Sequence, residues 1–393
     1  MTPSARVQAA IEILDEVVAA ARSGGAAADT LVSRYFSTRR YAGSKDRRAV
    51  REHVYRVIRA WPEPPRSGRD GMLALAAAEP ELAALFDGLG HGPAAIDGAV
   101  PEPVGGIVPA WLAGRMDPAV GPDEWPAFLE RAPLDLRVNR LRATREEALA
   151  ALPAAVATPL SPLGLRLPEG SRVEDEPAWN GGFVEIQDEG SQLLALACGA
   201  AAGMTVVDLC AGAGGKTLAL AAEMANSGRL VATDTDRTRL SRMAPRLARA
   251  GATLVEPRLL DPGREREALA DLAGSADIVL VDAPCSGTGT WRRNPELRWR
   301  LDEARLGRLV KLQSYLIDLA SVLIRPGGIL VYAVCSLLAE EGREQAAAFT
   351  ERSGMLPQDL PMSAGRAAGS GLLLTPAREG TDGFFVARWK APC

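Results

Sequence analysis

Apolar side chains recur at helical spacing along the first sixty residues: Val7, Ile11, Leu14, Val17 and Val18, then Val50, Val54, Val57 and Ile58. A period near 3.6 marks amphipathic helices, so the chain opens as a helical bundle. From Pro62 to Pro126, alanine-rich helical segments are broken by glycine and proline, with Trp111 and Trp125 as packing aromatics. The rhythm changes after Pro133. Leu134, Leu136, Val138 and Leu141 interleave with Arg137, Asn139 and Arg140, and the stretch to about Gly182 reads as a small module with short strands. An apolar helix is expected from Leu193 to Cys198. Beyond it, apolar runs at Val206 to Leu209, Leu230 to Thr233, Leu254-Val255, Ile278 to Val281 and Ile329 to Val334 alternate with helices. That alternation predicts a doubly wound parallel sheet. Leu372 to Leu374 and Phe384 to Trp389 flank a glycine- and aspartate-bearing turn and read as a closing antiparallel pair. The fold class is α/β: a Rossmann-like sheet preceded by an all-α domain and a small α+β module, with boundaries at 1–130, 131–185 and 186–393.

The first strand of the sheet, with Asp208 at its end, runs into Cys210-Ala211-Gly212-Ala213-Gly214-Gly215-Lys216 and a helix expected from about Thr217 to Met224. Three glycines in four positions permit positive φ and leave backbone N–H groups open to a ligand at the helix start. Such a loop suits a nucleotide-like cofactor, although a glycine-rich turn that binds nothing has the same composition. It is not G-x-G-x-x-G, and Cys210 stands where a phosphate loop would need its first glycine. Ligands in these sheets sit at the carboxyl ends of the strands, where Asp234, Asp261 and Asp282 fall. Asp234 suits two ribose hydroxyls and Asp261 an adenine amino group. Each also suits a helix N-cap, Asp261 before Pro262 above all.

Chemistry concentrates in Asp282-Ala283-Pro284-Cys285-Ser286-Gly287-Thr288-Gly289, which sets a carboxylate and a thiol in a glycine-rich turn after the fourth strand. A second thiol follows the next strand in Val334-Cys335-Ser336. Free cysteines are commonly just buried, but two at neighbouring strand ends would share one cleft. The closing antiparallel pair points to a methyltransferase-like sheet rather than a plain dinucleotide fold.

At 393 residues and 47% hydrophobic content, the chain can build more than one core. A net charge of −4 argues against a basic coat while leaving room for local patches. One such patch is Arg39-Arg40 to Arg47-Arg48, where Ser44 can cap a helix and the arginines crowd its start against the macrodipole; RNA-backbone contact and a solvated face fit it equally. Others are Trp291-Arg292-Arg293 and Arg298-Trp299-Arg300, where rings beside cations suit either stacking on RNA or packing. Five cysteines without C-x-x-C spacing and two upstream histidines disfavour a disulfide framework and a zinc site. No signal peptide or membrane-length apolar run is visible. A soluble, cytoplasmic, metal-free monomer is expected.

Taken together, Asp208 to Thr217, Asp282 to Gly287, Arg292-Arg293-Asn294-Pro295 and Val334-Cys335-Ser336 resemble the Sun/Fmu family of RNA cytosine-5 methyltransferases. Glu185 to Gln192 and Asp382-Gly383-Phe384-Phe385 extend the resemblance across the C-terminal half. Upstream, Arg40 to Arg59 resembles the NusB-like RNA-binding domain of the ribosomal RNA branch. The family usually carries proline at the position of Ala213 and threonine at that of Val334, and the missing proline puts loop rigidity in question. The resemblance implies a class I methyltransferase sheet and S-adenosyl-L-methionine held by Cys210 to Lys216, Asp234, Asp261 and Asp282. It also implies a covalent role for Cys335, ring-nitrogen contact by protonated Asp282, and help from Cys285 in removing the 5-proton. Small-subunit ribosomal RNA is then the expected substrate, with transfer RNA as the nearest alternative. A non-catalytic RNA-binding or assembly factor would not need both thiols and Asp282, and a nicotinamide oxidoreductase would have no use for the thiols.

Overall fold

The computed structural model describes residues 1–103 and 106–393, which pack into two compact units. The first comprises Met1–Arg115, Trp125–Glu130 and Trp291–Asp302; the second comprises Met116–Glu124, Arg131–Thr290 and Glu303–Cys393.

Helices Pro3–Ser23, Ala28–Ser37, Ser44–Ala60 and Gly68–Ala77 build the first unit. The stripe from Val7 to Val18 is buried in one core with Val50, Val54, Val57 and Ile58. Thr2 caps the first helix by accepting from the Ala5 N–H at 3.2 Å, with Pro3 inside the cap, and Gly24 ends it at φ 74°. Ser44 does not cap its helix as expected: Gly43 is the N-cap, and Asp46 accepts the Gly43 N–H at 3.2 Å. A carboxylate at the third helical position meets the positive end of the helix better than a hydroxyl at the first. Asp46 also pairs with Arg6 and the terminal amine, which hold it below the usual carboxylate range.

The Trp291 and Trp299 rings are packed rather than offered to RNA. Trp291 is 1% exposed, edge-on to Phe128, and Trp299 is 5% exposed, its Nε1 donating to the Trp61 carbonyl at 2.9 Å. Arg298 is buried as well, donating to the carbonyls of Ile58 at 2.5 Å, Arg59 at 3.2 Å and Ile107 at 2.8 Å. Two of these are orphan carbonyls at the end of helix Ser44–Ala60, where a cation is favoured, and burial pushes the guanidinium down to about 10. An alternation of arginine and tryptophan reads as a surface patch in sequence because the partner carbonyls lie more than 180 residues away.

In the second unit, strands β1 (Leu134–Val138), β2 (Val156–Ala157), β3 (Gly164–Leu167) and β4 (Val184–Ile186) form an antiparallel sheet in the order β2-β3-β1-β4. It has its own core of Leu136, Val138, Leu165 and Val184. Helix Glu189–Ala197 starts before its apolar run because Asp188 caps it, accepting the Gly190 N–H at 2.9 Å.

The larger sheet contains β5 (Thr205–Asp208), β6 (Arg229–Asp234), β7 (Val255–Leu259), β8 (Ala276–Asp282), β9 (Ile324–Val334), β10 (Leu356–Pro357), β11 (Arg366–Ala368), β12 (Gly371–Leu374) and β13 (Phe384–Lys390). Its order is β11-β12-β13-β9-β8-β5-β6-β7, with β10 pairing β13. Strands β5 to β9 run parallel, and β13 is antiparallel to both β9 and β12. The chain leaves β5 toward β6 and β7 and then returns to β8 on the other side. Strand order therefore reverses between β5 and β8, and a crevice is expected outside their carboxyl ends.

Candidate active site

The glycine-rich loop fills the carboxyl end of β5. Gly214 adopts φ 86° and Gly212 φ 57°, both in the left-handed region. A Cβ on Gly214 would come 2.7 Å from Met243 Cγ, and one on Gly212 would meet only the movable end of Arg239 at 2.7 Å, so positive φ more than space keeps Gly212 bare. Ala213 stands where a proline was expected, yet its carbonyl is held by Arg246 at 2.7 Å. Arg246 is itself tied to buried Glu185 at 3.1 Å, and Glu185 also pairs with Arg249. An ion-pair network from β4 thus stiffens the loop by another route.

Asp234 closes β6 and accepts the Gly212 N–H at 2.8 Å through one oxygen and the Asp236 N–H at 2.7 Å through the other. Asp261 lies exposed just past β7, where its carbonyl accepts the Arg264 N–H. Cys210 is half-buried, and burial pushes its thiol well above the ordinary range. Asp208 is fully buried; it accepts the Thr217 hydroxyl at 2.7 Å, and its other oxygen has no partner.

Lys216 is drawn across to β8, where its ammonium donates to Asp282 at 2.6 Å. Burial opposes its charge, but the Asp282 carboxylate outweighs burial and holds the ammonium above its ordinary value, with Cys335 adding to the effect. Asp282 is thus the counter-charge that the buried Lys216 ammonium needs.

Strands β8 and β9 are neighbours, with Asp282 opposite Ala333, and the Ala283 N–H extends the pairing to the Ala333 carbonyl at 2.9 Å. The loops that follow bring Cys285 and Cys335 to 3.3 Å between sulfurs. The hydrogen bond to Cys335, followed by burial, pushes the Cys285 thiol well up. The two sulfurs share one hydrogen bond, which either thiol can donate. The Asp382-Gly383-Phe384 turn closes in from β13: the Gly383 N–H donates to the Gly289 carbonyl at 2.8 Å and the Asp382 N–H to Asp188 at 3.0 Å. A Cβ on Gly289 would lie 2.0 Å from the Gly383 carbonyl oxygen, so these loops meet only as bare backbone.

Sequence reasoning missed the buried polar groups beneath the thiols. Glu341 accepts the Ser286 N–H at 2.9 Å, the Ser286 hydroxyl, the Ser336 hydroxyl at 2.5 Å and Gln313 Nε2 at 2.9 Å. Thr288 accepts the Leu337 N–H at 2.8 Å. Glu340-Glu341 reads as a solvated acidic pair; the available signal was an acid six residues beyond a strand-end thiol. Among the described residues, no cluster of histidine, cysteine and carboxylate could hold a metal ion, and no helix is long and apolar enough to cross a membrane.

A run of parallel strands joined at β9 to an antiparallel β13, with a glycine loop at the switch point, defines a Rossmann-like methyltransferase. A family model described as 16S rRNA methyltransferase RsmB/F matches residues 195–390, and one for the RsmF/B-like ferredoxin-like domain matches residues 108–174. The chain is 36% identical over 288 residues to ribosomal RNA small subunit methyltransferase B of Enterobacter sp. strain 638, and 34% identical over 332 residues to that of Sodalis glossinidius. These matches cover 71% and 80% of this chain; it spans 65% of the Enterobacter protein's length and 74% of the Sodalis protein's. The chain belongs to the RsmB/F methyltransferase family. Among solved structures, PH0851 superposes with a TM-score of 0.76 over 99% of both chains at 24% identity. A methyltransferase homologue from Pyrococcus horikoshii gives 0.61 at 26% identity, over 68% of this chain and 89% of its own.

Proposed function

We propose that this chain methylates the 5-carbon of a cytosine in small-subunit ribosomal RNA, with Cys335 as the covalent nucleophile and Cys285 as its partner. The observation that carries this reading is the pair of sulfurs at 3.3 Å, next to a β8 carboxylate held by a lysine from the cofactor loop. Curated relatives named as small-subunit ribosomal RNA methyltransferases support the choice of RNA. The glycine cradle, Asp234 beneath it and the unpartnered oxygen of Asp208 suit S-adenosylmethionine, which when bound supplies an electrophilic methyl group on a sulfonium.

The 5-carbon of cytosine is a weak nucleophile until a sulfur adds at the 6-carbon. Cys335, accepting the proton-bearing Cys285 thiol, presents the sulfur for that addition. Electron density moves into the ring toward the ring nitrogen, where the Lys216–Asp282 pair faces it, one member carrying protons and the other accepting them. Once the Cys335 sulfur is bonded to carbon it no longer accepts from Cys285. Cys285 then gives up its own proton to solvent, and as a thiolate it takes the 5-proton once the methyl group is in place. Loss of that proton restores the ring double bond as the Cys335–carbon bond breaks, returning Cys335 as the thiolate and Cys285 as the thiol. The target base must leave any helix to reach this cleft, so a loop or unfolded strand is the recognised form. The helical segment 1–130 and the β1–β4 module select that RNA.

The test is bisulfite sequencing of total RNA from a strain lacking the gene, complemented with wild type or Cys335→Ala. Loss of methylation at one small-subunit cytosine, restored only by wild type, is the expected result. Restoration by Cys335→Ala would overturn the assigned nucleophile, and a changed cytosine in transfer RNA alone would overturn the substrate.

A further inference from the structure

Backbone pairing between β8 and β9 ends at Ala283, two residues short of Cys285. Beyond that point each thiol rides on its own loop; one backbone bond, from the Gly289 N–H to the Cys335 carbonyl at 3.1 Å, still joins the loops, and the spacing of the sulfurs is left to side chains. Glu341 is placed to set it. Its side chain is fully buried and reaches the residue following each cysteine: Ser286 after Cys285 and Ser336 after Cys335. Gln313, from helix Glu303–Leu323, donates to Glu341 at 2.9 Å and to the Pro284 carbonyl at 2.9 Å, so the residue preceding Cys285 is tied to the same anchor. The Tyr332 hydroxyl donates to the Glu341 carbonyl at 2.6 Å and fixes its backbone to β9.

We propose that Glu341 is a positioning residue for methyl transfer: its carboxylate yokes the two cysteine loops so that Cys335 and Cys285 act in turn on one base. This rests on the cytosine-5 reading above and extends it to a group that touches neither substrate nor cofactor.

The placement of protons calls for a carboxylate at this position. One oxygen receives the Ser286 N–H and Gln313 Nε2–H; the other receives the hydroxyls of Ser286 and Ser336. Ser336 Oγ is already an acceptor for the Leu338 N–H at 3.1 Å, and Thr288 Oγ1 for the Leu337 N–H at 2.8 Å. The Thr288 hydroxyl can turn to Ser336 Oγ at 3.1 Å, which leaves every donor with an acceptor. An amide at 341 would face two donors with its own NH2 whichever way it turned. The hydroxyls can rotate away and the backbone N–H cannot, so Glu341→Gln keeps half of the carboxylate's bonds and Glu341→Ala none, leaving only the Ser336 hydroxyl contacts with Ser286 and Thr288 and the Gly289–Cys335 backbone bond.

The test compares full-length wild type, Glu341→Gln and Glu341→Ala by two readouts. The first is the split between kcat and KM for S-adenosylmethionine, with a small-subunit ribosomal RNA transcript as acceptor. The second needs no RNA: the rate at which the azo oxidant diamide joins Cys285 to Cys335. In that reaction each thiol gives up a proton and an electron, the sulfurs bond, and the nitrogen–nitrogen double bond of diamide takes both hydrogens to become a hydrazine. A misplacement near 1 Å costs on the order of a hundredfold in rate. Glu341→Ala should therefore lose about a hundredfold in kcat and Glu341→Gln about tenfold, with KM within about twofold and crosslinking slowed in the same order. Wild-type crosslinking rates in the variants, or a KM that rises as kcat falls, would overturn the proposal. So would wild-type thiols that fail to join. Where Glu341→Ala does not fold, Glu341→Gln and Ser336→Ala carry the test. Slowed crosslinking with no methylation by wild type would sink the cytosine reading and leave the yoke standing.

Discussion

Asp208 ends β5 in a fully buried position, with one oxygen bonded to Thr217 and the other without a partner. Burial raises its carboxyl from 3.8 to about 7; the Thr217 hydroxyl pulls it back and the Asp282 charge adds to the rise. An unfolded aspartate ionises near 3.9, so between roughly pH 4 and pH 7 the native protein holds a proton that the unfolded chain has shed. The stability this group contributes is fully present below the unfolded value and is lost as pH rises through the folded one. The slope is about 1.4 kcal/mol per pH unit well below the folded value and flattens on reaching it, so the loss from pH 5 to pH 7 is about 2.3 kcal/mol, an upper figure because the site can relax. Asp208→Asn keeps an acceptor for Thr217 and has no proton to lose. Whatever its amide costs in the pocket is the same at both pH values and cancels. Chemical denaturation at pH 5 and pH 7.5 should show the variant gaining about 2–3 kcal/mol on wild type across that interval. Parallel pH dependence of the two proteins, within about 0.5 kcal/mol, would refute a buried proton at Asp208.

Replacing Cys285 by alanine should leave the Cys335 adduct without its route to release, so that protein covalently bound to RNA accumulates and migrates as a retarded band in a denaturing gel; clean turnover would contradict the roles given to the two thiols. Arg298→Met leaves the carbonyls of Ile58, Arg59 and Ile107 without their donor, and should lower stability by about 2–4 kcal/mol, read as a drop in thermal midpoint. A change under about 0.5 kcal/mol would mean those carbonyls find other donors.

Much of the fold was legible because one signal dominated each stretch. Apolar periodicity marked the helices around Val7–Val18 and Val50–Ile58, and the runs ending at Asp208, Asp234 and Asp282 lie on strands β5, β6 and β8. The strand at β7 showed only Leu254-Val255, because it continues as Glu256-Pro257-Arg258 at the rim of the sheet, where exposed side chains erase the apolar run. The candidate site was legible where its residues fall at strand ends within recognisable loops. It was not legible where long-range pairing decides the role: Glu341 reads as surface until β9 turns it beneath both thiols, and Arg298 reads as a patch until distant carbonyls claim it. Charge alone cannot say whether a side chain has found a buried partner.

Among the described strands of this sheet, β13 follows the others in sequence and yet lies in its interior, between β9 and β12. During synthesis β9 must therefore wait until residue 390 has emerged before its outer edge is covered. At roughly 5–20 residues per second, the stretch between the end of β9 and the end of β13 takes several seconds, during which an apolar strand offers open hydrogen-bonding groups. Truncation or stalling anywhere in that interval would leave a nascent chain with a sticky edge, making the passage from β9 to β13 a point of vulnerability to aggregation.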